Sequence, residues 1–295
     1  MQLGFVGLGA MGLPMTRHLL EAGHQVAVSS RSPGPIAEAV SLGAVEGASP
    51  AEVARASDVV ILCVPSSPQV AAVVDTMLPA LRPGQVVVDC STIDPDVARQ
   101  QHQRVTAAGA GFLDAPLSGG TAGAEKGTLT VMVGGEAATL DAVRPALEPF
   151  AGLIVHVGDA GMGQVVKLCN NLIYAAQMLA TSEAAALAVT SGVDMEKFLE
   201  VVLHSTGDCV AVRTRLPVAG VVPDSPASNQ WRPGFMTDLM AKDLDLALGY
   251  GSRAGVPLAS TAVARQALTA ATAAGYGRED FSAMAKIIFG LSGLT

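Results

Sequence analysis

The chain opens Met1-Gln2-Leu3-Gly4-Phe5-Val6-Gly7-Leu8-Gly9-Ala10-Met11-Gly12, a short apolar strand running straight into three spaced glycines. No other feature constrains the fold as strongly. Gly7 permits a tight turn after the strand, Gly9 lets the main chain approach a pyrophosphate, and Gly12 lets the next helix pack on the sheet. A helix beginning near Ala10 and running through Pro14–Ala22 would aim its N–H groups and positive dipole end at phosphates. With a strand before it and a helix after it, the segment Gly7, Leu8, Gly9, Ala10, Met11, Gly12 suits the first turn of a dinucleotide-binding fold. The bland alternative is a strand, turn and helix with no ligand.

The 295 residues provide for two domains of about 100–200 residues each. Half are hydrophobic and only 15% are charged, so a large Ala, Val and Leu core is expected and disorder is not. A formal net charge of −8, with no basic run, argues against nucleic acid as a partner. Cys63, Cys90, Cys169 and Cys209 are scattered without a CxxC pair. They are expected to be buried, reduced thiols of a cytoplasmic protein, with neither a disulfide framework nor a metal site. The N-terminus lacks the basic region of a signal peptide. The apolar stretches are expected to stop short of the ~20 residues that a membrane span needs.

Strand-like runs at 3–6, 25–29, 59–64, 86–90, 111–114, 129–133 and 154–157 alternate with helical stretches at 14–22, 36–42, 51–56, 70–81 and 96–108. Such alternation predicts an α/β fold, a Rossmann-type doubly wound parallel sheet over residues 1–162. Ser49-Pro50-Ala51-Glu52 has the form of a capped helix start. From Gln164 to Ser191 an Ala-, Leu- and Met-rich stretch without Pro or Gly predicts one long helix, apolar on several faces and buried on all sides, in the domain or in a subunit interface. Further helices are expected at 195–204, 237–254, 257–274 and 281–290, with an ordered loop at 217–233. Residues 163–295 should form an all-helical domain.

Chemistry-bearing residues fall at the ends of these elements. After the second strand come Ser29-Ser30-Arg31-Ser32, where an acidic residue would accept hydrogen bonds from an NAD ribose. With no carboxylate there, and with Arg31 able to pair with a 2′-phosphate, the residues favour NADP and leave NAD open. Arg31 could equally be an exposed loop cation. The stretch from Asp114 to Ala124 offers bare N–H groups and the Ser118 hydroxyl to a small carboxylate, or else is a flexible hairpin connection. Lys167 shares a helix face with Gly163, Asn170 and Asn171, among Val165, Val166, Leu168 and Ile173. Desolvation of its ammonium would bring proton transfer within reach, unless the side chain snorkels to solvent or pairs with an acid.

Taken in order, four motifs resemble those of the β-hydroxyacid dehydrogenase family. They are Gly7–Met15, Asp114–Gly120, Gly161–Asn171 and Leu239–Ala247. The loop 217–223 with Pro226-Ala227-Ser228-Asn229 is similar to the 3-hydroxyisobutyrate branch. The resemblance runs nearly end to end and implies an enzyme that holds a nicotinamide between a Rossmann domain and a helical one. It implies Lys167 as the catalytic residue and Ser118, Gly119, Gly120 and Asn171 as substrate contacts. Thr92, the loop Cys63-Val64-Pro65, Phe235 and Lys242 match cofactor contacts, as do Ser30 and Arg31. Asn170 and Asp243 match supporting positions, although Lys242 and Asp243 could be a solvated pair. Family members that use NAD commonly carry Asp near Ser30, so the loop here is more like the NADP-using branches.

The implied activity is oxidation of a small 3-hydroxy acid, foremost 3-hydroxyisobutyrate to methylmalonate semialdehyde, with NADP or NAD. The alternative is NADPH-dependent reduction of a small aldehyde acid of the tartronate, succinic or glyoxylic semialdehyde type. A non-catalytic NADP-binding scaffold is the alternative from a different class, and would have no use for a proton donor at Lys167. The long apolar helix predicts a homodimer or homotetramer.

Overall fold

A computed structural model of the protein describes residues 1–294. The chain divides into two compact units, Met1–Lys167 and a second beginning at Leu168.

In the first unit β1 (Gln2–Val6), α1 (Gly12–Glu21), β2 (Gln25–Ser29), α2 (Pro33–Ser41), β3 (Val45–Glu46), α3 (Pro50–Arg55), β4 (Val59–Leu62), α4 (Ser67–Met77), β5 (Val86–Asp89), α5 (Pro95–Ala107) and β6 (Gly111–Asp114) follow one another. Then come β7 (Leu117–Ser118), α6 (Gly120–Lys126), β8 (Leu129–Gly134), α7 (Ala137–Leu147) and β9 (Ala151–Gly158). The sheet order is β3-β2-β1-β4-β5-β6-β8-β7, with β9 paired to β8. From β3 to β6 every pairing is parallel, whereas β8 runs antiparallel to β6 and β7. The alternation of strands and helices predicts the parallel part but does not encode this reversal.

Because β1 lies between β2 and β4, the chain leaves it in one direction and returns on the other side. Its C-terminal end is therefore the switch point where such sheets bind ligands. Successive strand residues feed opposite faces. Phe5, Ile61 and Val88 join Met15, Leu19 and Phe150 on one face, and Val6, Val60, Leu62 and Val87 join Val74, Val105 and Phe112 on the other. Caps fix the helix starts. The Ser49 side chain accepts from the Glu52 amide while the Glu52 carboxylate accepts from the Ala48 amide, and the Asp94 side chain accepts from the Asp96 amide just before Pro95.

The second unit holds most of α8 (Met162–Thr190), then α9 (Met195–Leu203), α10 (Val210–Arg215), α11 (Thr237–Arg253), α12 (Ala259–Ala271) and α13 (Met284–Leu291). Its core gathers Ala175, Met178, Met240, Leu244, Leu268, Phe281 and Met284. The loop before α11 is ordered, as expected. The Asn229 amide donates to the carbonyls of Pro223 and Ser225, and the Ser228 hydroxyl to Val222.

Several expectations need correction. The first helix begins at Gly12, two residues after Ala10, with Met11 at its N-cap and the Leu13 amide donating back to the Gly9 carbonyl at 3.1 Å. The glycine-rich stretch after Asp114 is not a flexible hairpin connection but β7 and α6. The sequence pattern does not reveal β3, β7, α6, α7 or α10, all short or masked by small residues. Within the single chain helix α8 is not covered on all sides, since Ile173 is 55% and Leu187 70% exposed, so burial inside the domain alone does not account for its apolar faces. Helix α8 is long and apolar enough to cross a membrane by length and composition alone, but Lys167 and Glu183 interrupt its apolar run. Of the cysteines only Cys90 is fully buried, and Cys169 is exposed on α8.

Candidate active site

The glycine turn closes by contact. Gly7 has φ +105°, and a Cβ there would meet the Cys63 carbonyl oxygen at 2.2 Å. A Cβ on Gly12 would meet the Gly7 carbonyl oxygen at 2.0 Å. Both glycines are demanded by the fold itself. Gly9 is different, because a Cβ there would meet no protein atom within 4 Å. Internal packing does not require glycine at that point, whereas the close approach of a pyrophosphate would. The Leu8 amide donates to the Ser30 hydroxyl at 3.4 Å, tying the turn to the end of β2. Arg31 follows, exposed. The residues present thus fit a nicotinamide dinucleotide.

At the ends of β4 and β5 the Val64 amide donates to the Ser91 hydroxyl at 2.9 Å. The Ser91 amide donates to Asp89 at 3.0 Å. Cys63 and Val64 are half-buried and Pro65 is exposed. Burial, with Cys63 and Asp89 nearby, pushes the Cys90 thiol up. The next residues are held by Gln164 in the first turn of α8. Its Oε1 accepts the Ile93 amide hydrogen at 3.0 Å and its Nε2 donates to the Ser91 carbonyl at 2.8 Å. The half-buried Thr92 lies between these two anchors.

Asp114, at the end of β6, caps the same helix. One carboxylate oxygen accepts the Gly161 amide at 2.7 Å and the other the Gln164 amide at 3.0 Å. The negative group is suited to the positive end of the helix. Burial raises the Asp114 carboxyl above the usual carboxylate range, while those two amides and Arg99 pull it down. The approach is so close that a Cβ on Gly163 would meet the Met132 carbonyl oxygen at 2.4 Å, and one on Gly134 would meet Asp114 at 2.6 Å. This explains Gly163, while Gly161 has φ +87° and a Cβ there would meet the Pro95 carbonyl oxygen at 2.9 Å. Neither Asp114 nor Gln164 is singled out by sequence reasoning, though a carboxylate ending a strand and a glutamine in an apolar helix turn are the signals available. Lys167 follows one turn after Gly163 and is buried, 8% exposed.

Ser118 closes β7, half-buried, opposite Thr130. Gly119 at φ +130° and Gly120 at φ +62° then turn the chain into α6, conformations that favour glycine.

In the second unit, Asn171 and Asp243 meet. The Asn171 side-chain amide donates to the Asp243 carboxylate at 2.6 Å, and the Lys242 ammonium lies 3.0 Å from the other carboxylate oxygen. Asp243 is 2% exposed, so this is not a solvated helix-face pair. Asn170 is exposed and donates to the Asn171 side chain at 3.1 Å, at the edge of the face that the sequence assigns to it. Phe235 lies edge-on to Phe281, with ring centroids 5.9 Å apart.

Comparisons with known proteins agree with this arrangement. Residues 2–158 match the model of the NAD binding domain of 6-phosphogluconate dehydrogenase. Residues 161–288 match the NAD-binding domain model of NADP-dependent 3-hydroxyisobutyrate dehydrogenase. The mitochondrial 3-hydroxyisobutyrate dehydrogenase of Drosophila melanogaster is 40% identical over 95% of this chain and 87% of its own. The NAD-dependent L-serine dehydrogenase of Pseudomonas aeruginosa is 40% identical over 97% of both chains. A solved structure of Mycobacterium tuberculosis 3-hydroxyisobutyrate dehydrogenase with L-serine superposes with a TM-score of 0.92 and 40% identity, over 97% of this chain and 98% of that one. With a glycine turn built for a dinucleotide and relatives alike over nearly their whole length, the chain belongs to the 3-hydroxyisobutyrate dehydrogenase family of NAD(P)-dependent oxidoreductases.

Proposed function

We propose that this dehydrogenase oxidises a small 3-hydroxy acid, foremost 3-hydroxyisobutyrate to methylmalonate semialdehyde, with Lys167 as the proton acceptor. The observation that carries this reading is the buried Lys167, on a helix whose first turn is fixed by Asp114 and Gln164. When bound, the nicotinamide supplies the hydride acceptor for oxidation and the donor for reduction. In oxidation the neutral Lys167 amine takes the proton of the substrate 3-hydroxyl, and in reduction its ammonium returns a proton to the nascent alkoxide. Ser118, Gly119 and Gly120 hold the substrate carboxylate, and Asn171, oriented by Asp243, donates to the substrate. Asp243 also orients Lys242, and Asn170 supports Asn171.

The cofactor would be held by Gly7, Leu8, Gly9, Ala10, Met11 and Gly12 at the pyrophosphate, and by Cys63, Val64, Pro65, Thr92, Phe235 and Lys242 beyond it. Ser30 and Arg31 favour NADP, because β2 ends without a carboxylate that would repel the 2′-phosphate. NAD remains the alternative, and the NAD-dependent relative supports it. That relative and the serine-bound structure also favour L-serine as a second substrate reading. The exposed Ile173 and Leu187 on α8 support a homodimer or homotetramer, and four cysteines kept as thiols suit the cytoplasm.

Initial rates with 3-hydroxyisobutyrate and with L-serine, each against NAD and NADP, test the assignment. Turnover of 3-hydroxyisobutyrate with NADP is the expected result. Activity with neither acid would overturn it and direct attention to NADPH reduction of small aldehyde acids.

A further inference from the structure

We propose that Arg215, acting through Asp280, is a positioning residue that holds the Gly234–Phe235 segment in its cofactor-binding conformation. The inference rests on the assignment of Phe235 to the cofactor site.

Asp280 is completely buried, and its carboxylate is shared between a side chain and a strip of main chain. One oxygen accepts from Arg215 Nε at 3.0 Å and from the Ser282 hydroxyl at 2.8 Å. The other accepts the amide hydrogens of Gly234 at 3.0 Å and Phe235 at 3.1 Å, and faces Arg215 Nη2 at 3.3 Å. The main chain on either side is zipped to the same region. The Asp280 amide donates to the Trp231 carbonyl at 3.0 Å, the Phe281 amide to the Phe235 carbonyl at 2.9 Å, and the Thr237 amide to the Glu279 carbonyl at 2.9 Å.

Arg215 is itself fixed. Its guanidinium lies over the rings of Phe281, at 5.3 Å, and Tyr174, at 5.4 Å, and it donates to the Tyr174 hydroxyl. A Cβ on Gly234 would come within 3.0 Å of Arg215 Nη2, so the segment passes directly against the cation. The segment is entered through two non-glycine residues in the left-handed region, Gln230 at φ +56° and Trp231 at φ +57°. Such conformations persist only where surrounding contacts over-determine them. A buried carboxylate without its cation would be expelled from this environment, and the amides of Gly234 and Phe235 would lose their acceptor. Lysine cannot replace the planar fork that pairs with Asp280 and stacks on two rings at once. Directly after the segment comes α11, which carries Lys242 and Asp243.

Trp231 is the only tryptophan in the chain, so its fluorescence reports this segment alone. The test uses the full-length enzyme, with NADPH and NADH binding followed by nicotinamide fluorescence and Trp231 exposure followed by acrylamide quenching. Arg215→Lys should raise Trp231 quenching and weaken reduced-cofactor binding about tenfold, the loss expected when one molecule in ten holds the competent segment. The effect on kcat at saturating cofactor should be smaller than the effect on the cofactor KM. Should Arg215→Lys fail to fold, Tyr174→Phe, which removes only a hydroxyl partner of the guanidinium, should show the same change at about threefold. Phe235→Ala tests the underlying assignment. Unchanged cofactor binding in Phe235→Ala would overturn that assignment and the inference with it. Weakened binding in Phe235→Ala, with unchanged binding in the folded Arg215 or Tyr174 variants, would overturn the inference alone.

Discussion

Gln164 grips the main chain on both sides of Thr92, accepting from the Ile93 amide at 3.0 Å and donating to the Ser91 carbonyl at 2.8 Å. A loop assigned to the cofactor is thereby tied to the helix turn that precedes Lys167. Replacing Gln164 by Ala leaves a buried amide and a buried carbonyl without partners, each costing about 1–3 kcal/mol. A lower melting temperature and weaker cofactor binding are expected together, by thermal melts and fluorescence titration. Loss of stability with unaltered cofactor binding would separate Gln164 from the site.

Asp114 gives the stability a definite pH dependence. Burial raises its carboxyl in the folded protein, so just above the ordinary carboxylate range the folded state binds this proton more tightly than the unfolded chain. The contribution is therefore fully present at low pH and is lost as pH rises through the raised value. Asp114→Asn removes this slope. Denaturant melts of both proteins upward from about pH 4 should show the wild type losing stability relative to the variant. Parallel curves would show that Asp114 titrates as it does in the unfolded chain.

Two glycines of the first turn should respond in opposite ways. Gly12→Ala drives a methyl group into the Gly7 carbonyl, and destabilisation by about 1–3 kcal/mol or more is expected. Gly9→Ala meets no protein atom, so the fold should keep its melting temperature while cofactor affinity falls. Calorimetry beside a cofactor titration checks both, and a Gly9→Ala protein with intact affinity would contradict the pyrophosphate assignment.

These contrasts also show what was legible in the sequence. The strand leading to Gly7, the Ser49 cap, the long helix around Lys167 and the Rossmann-type architecture follow from local spacing, which a single sequence carries. The antiparallel turn of β8 does not, because strand direction depends on which neighbour a segment finds. Asn171, Lys242 and Asp243 are marked by resemblance, yet the 2.6 Å bond between Asn171 and Asp243 spans 72 positions. Asp280 and Arg215 are 65 positions apart and look like ordinary surface charges until burial places them together. Long-range polar pairs of this kind have no periodic signature.

Arg31 sets the cofactor preference in this account. Arg31→Asp places a carboxylate after β2, opposing a 2′-phosphate and offering an acceptor to a ribose hydroxyl. The ratio of kcat/KM for NADP to that for NAD should fall by about tenfold or more, since a charge-assisted contact contributes about 1.5–3 kcal/mol. An unchanged ratio would return Arg31 to the status of an exposed loop cation.

The most direct test of the central claim is Lys167→Ala, measured for turnover and for cofactor affinity in the same preparation. Loss of a positioned proton acceptor predicts a fall in kcat of about 10²–10⁴-fold, with the cofactor dissociation constant nearly unchanged. Turnover within a few-fold of wild type in the folded variant would contradict the role given to Lys167.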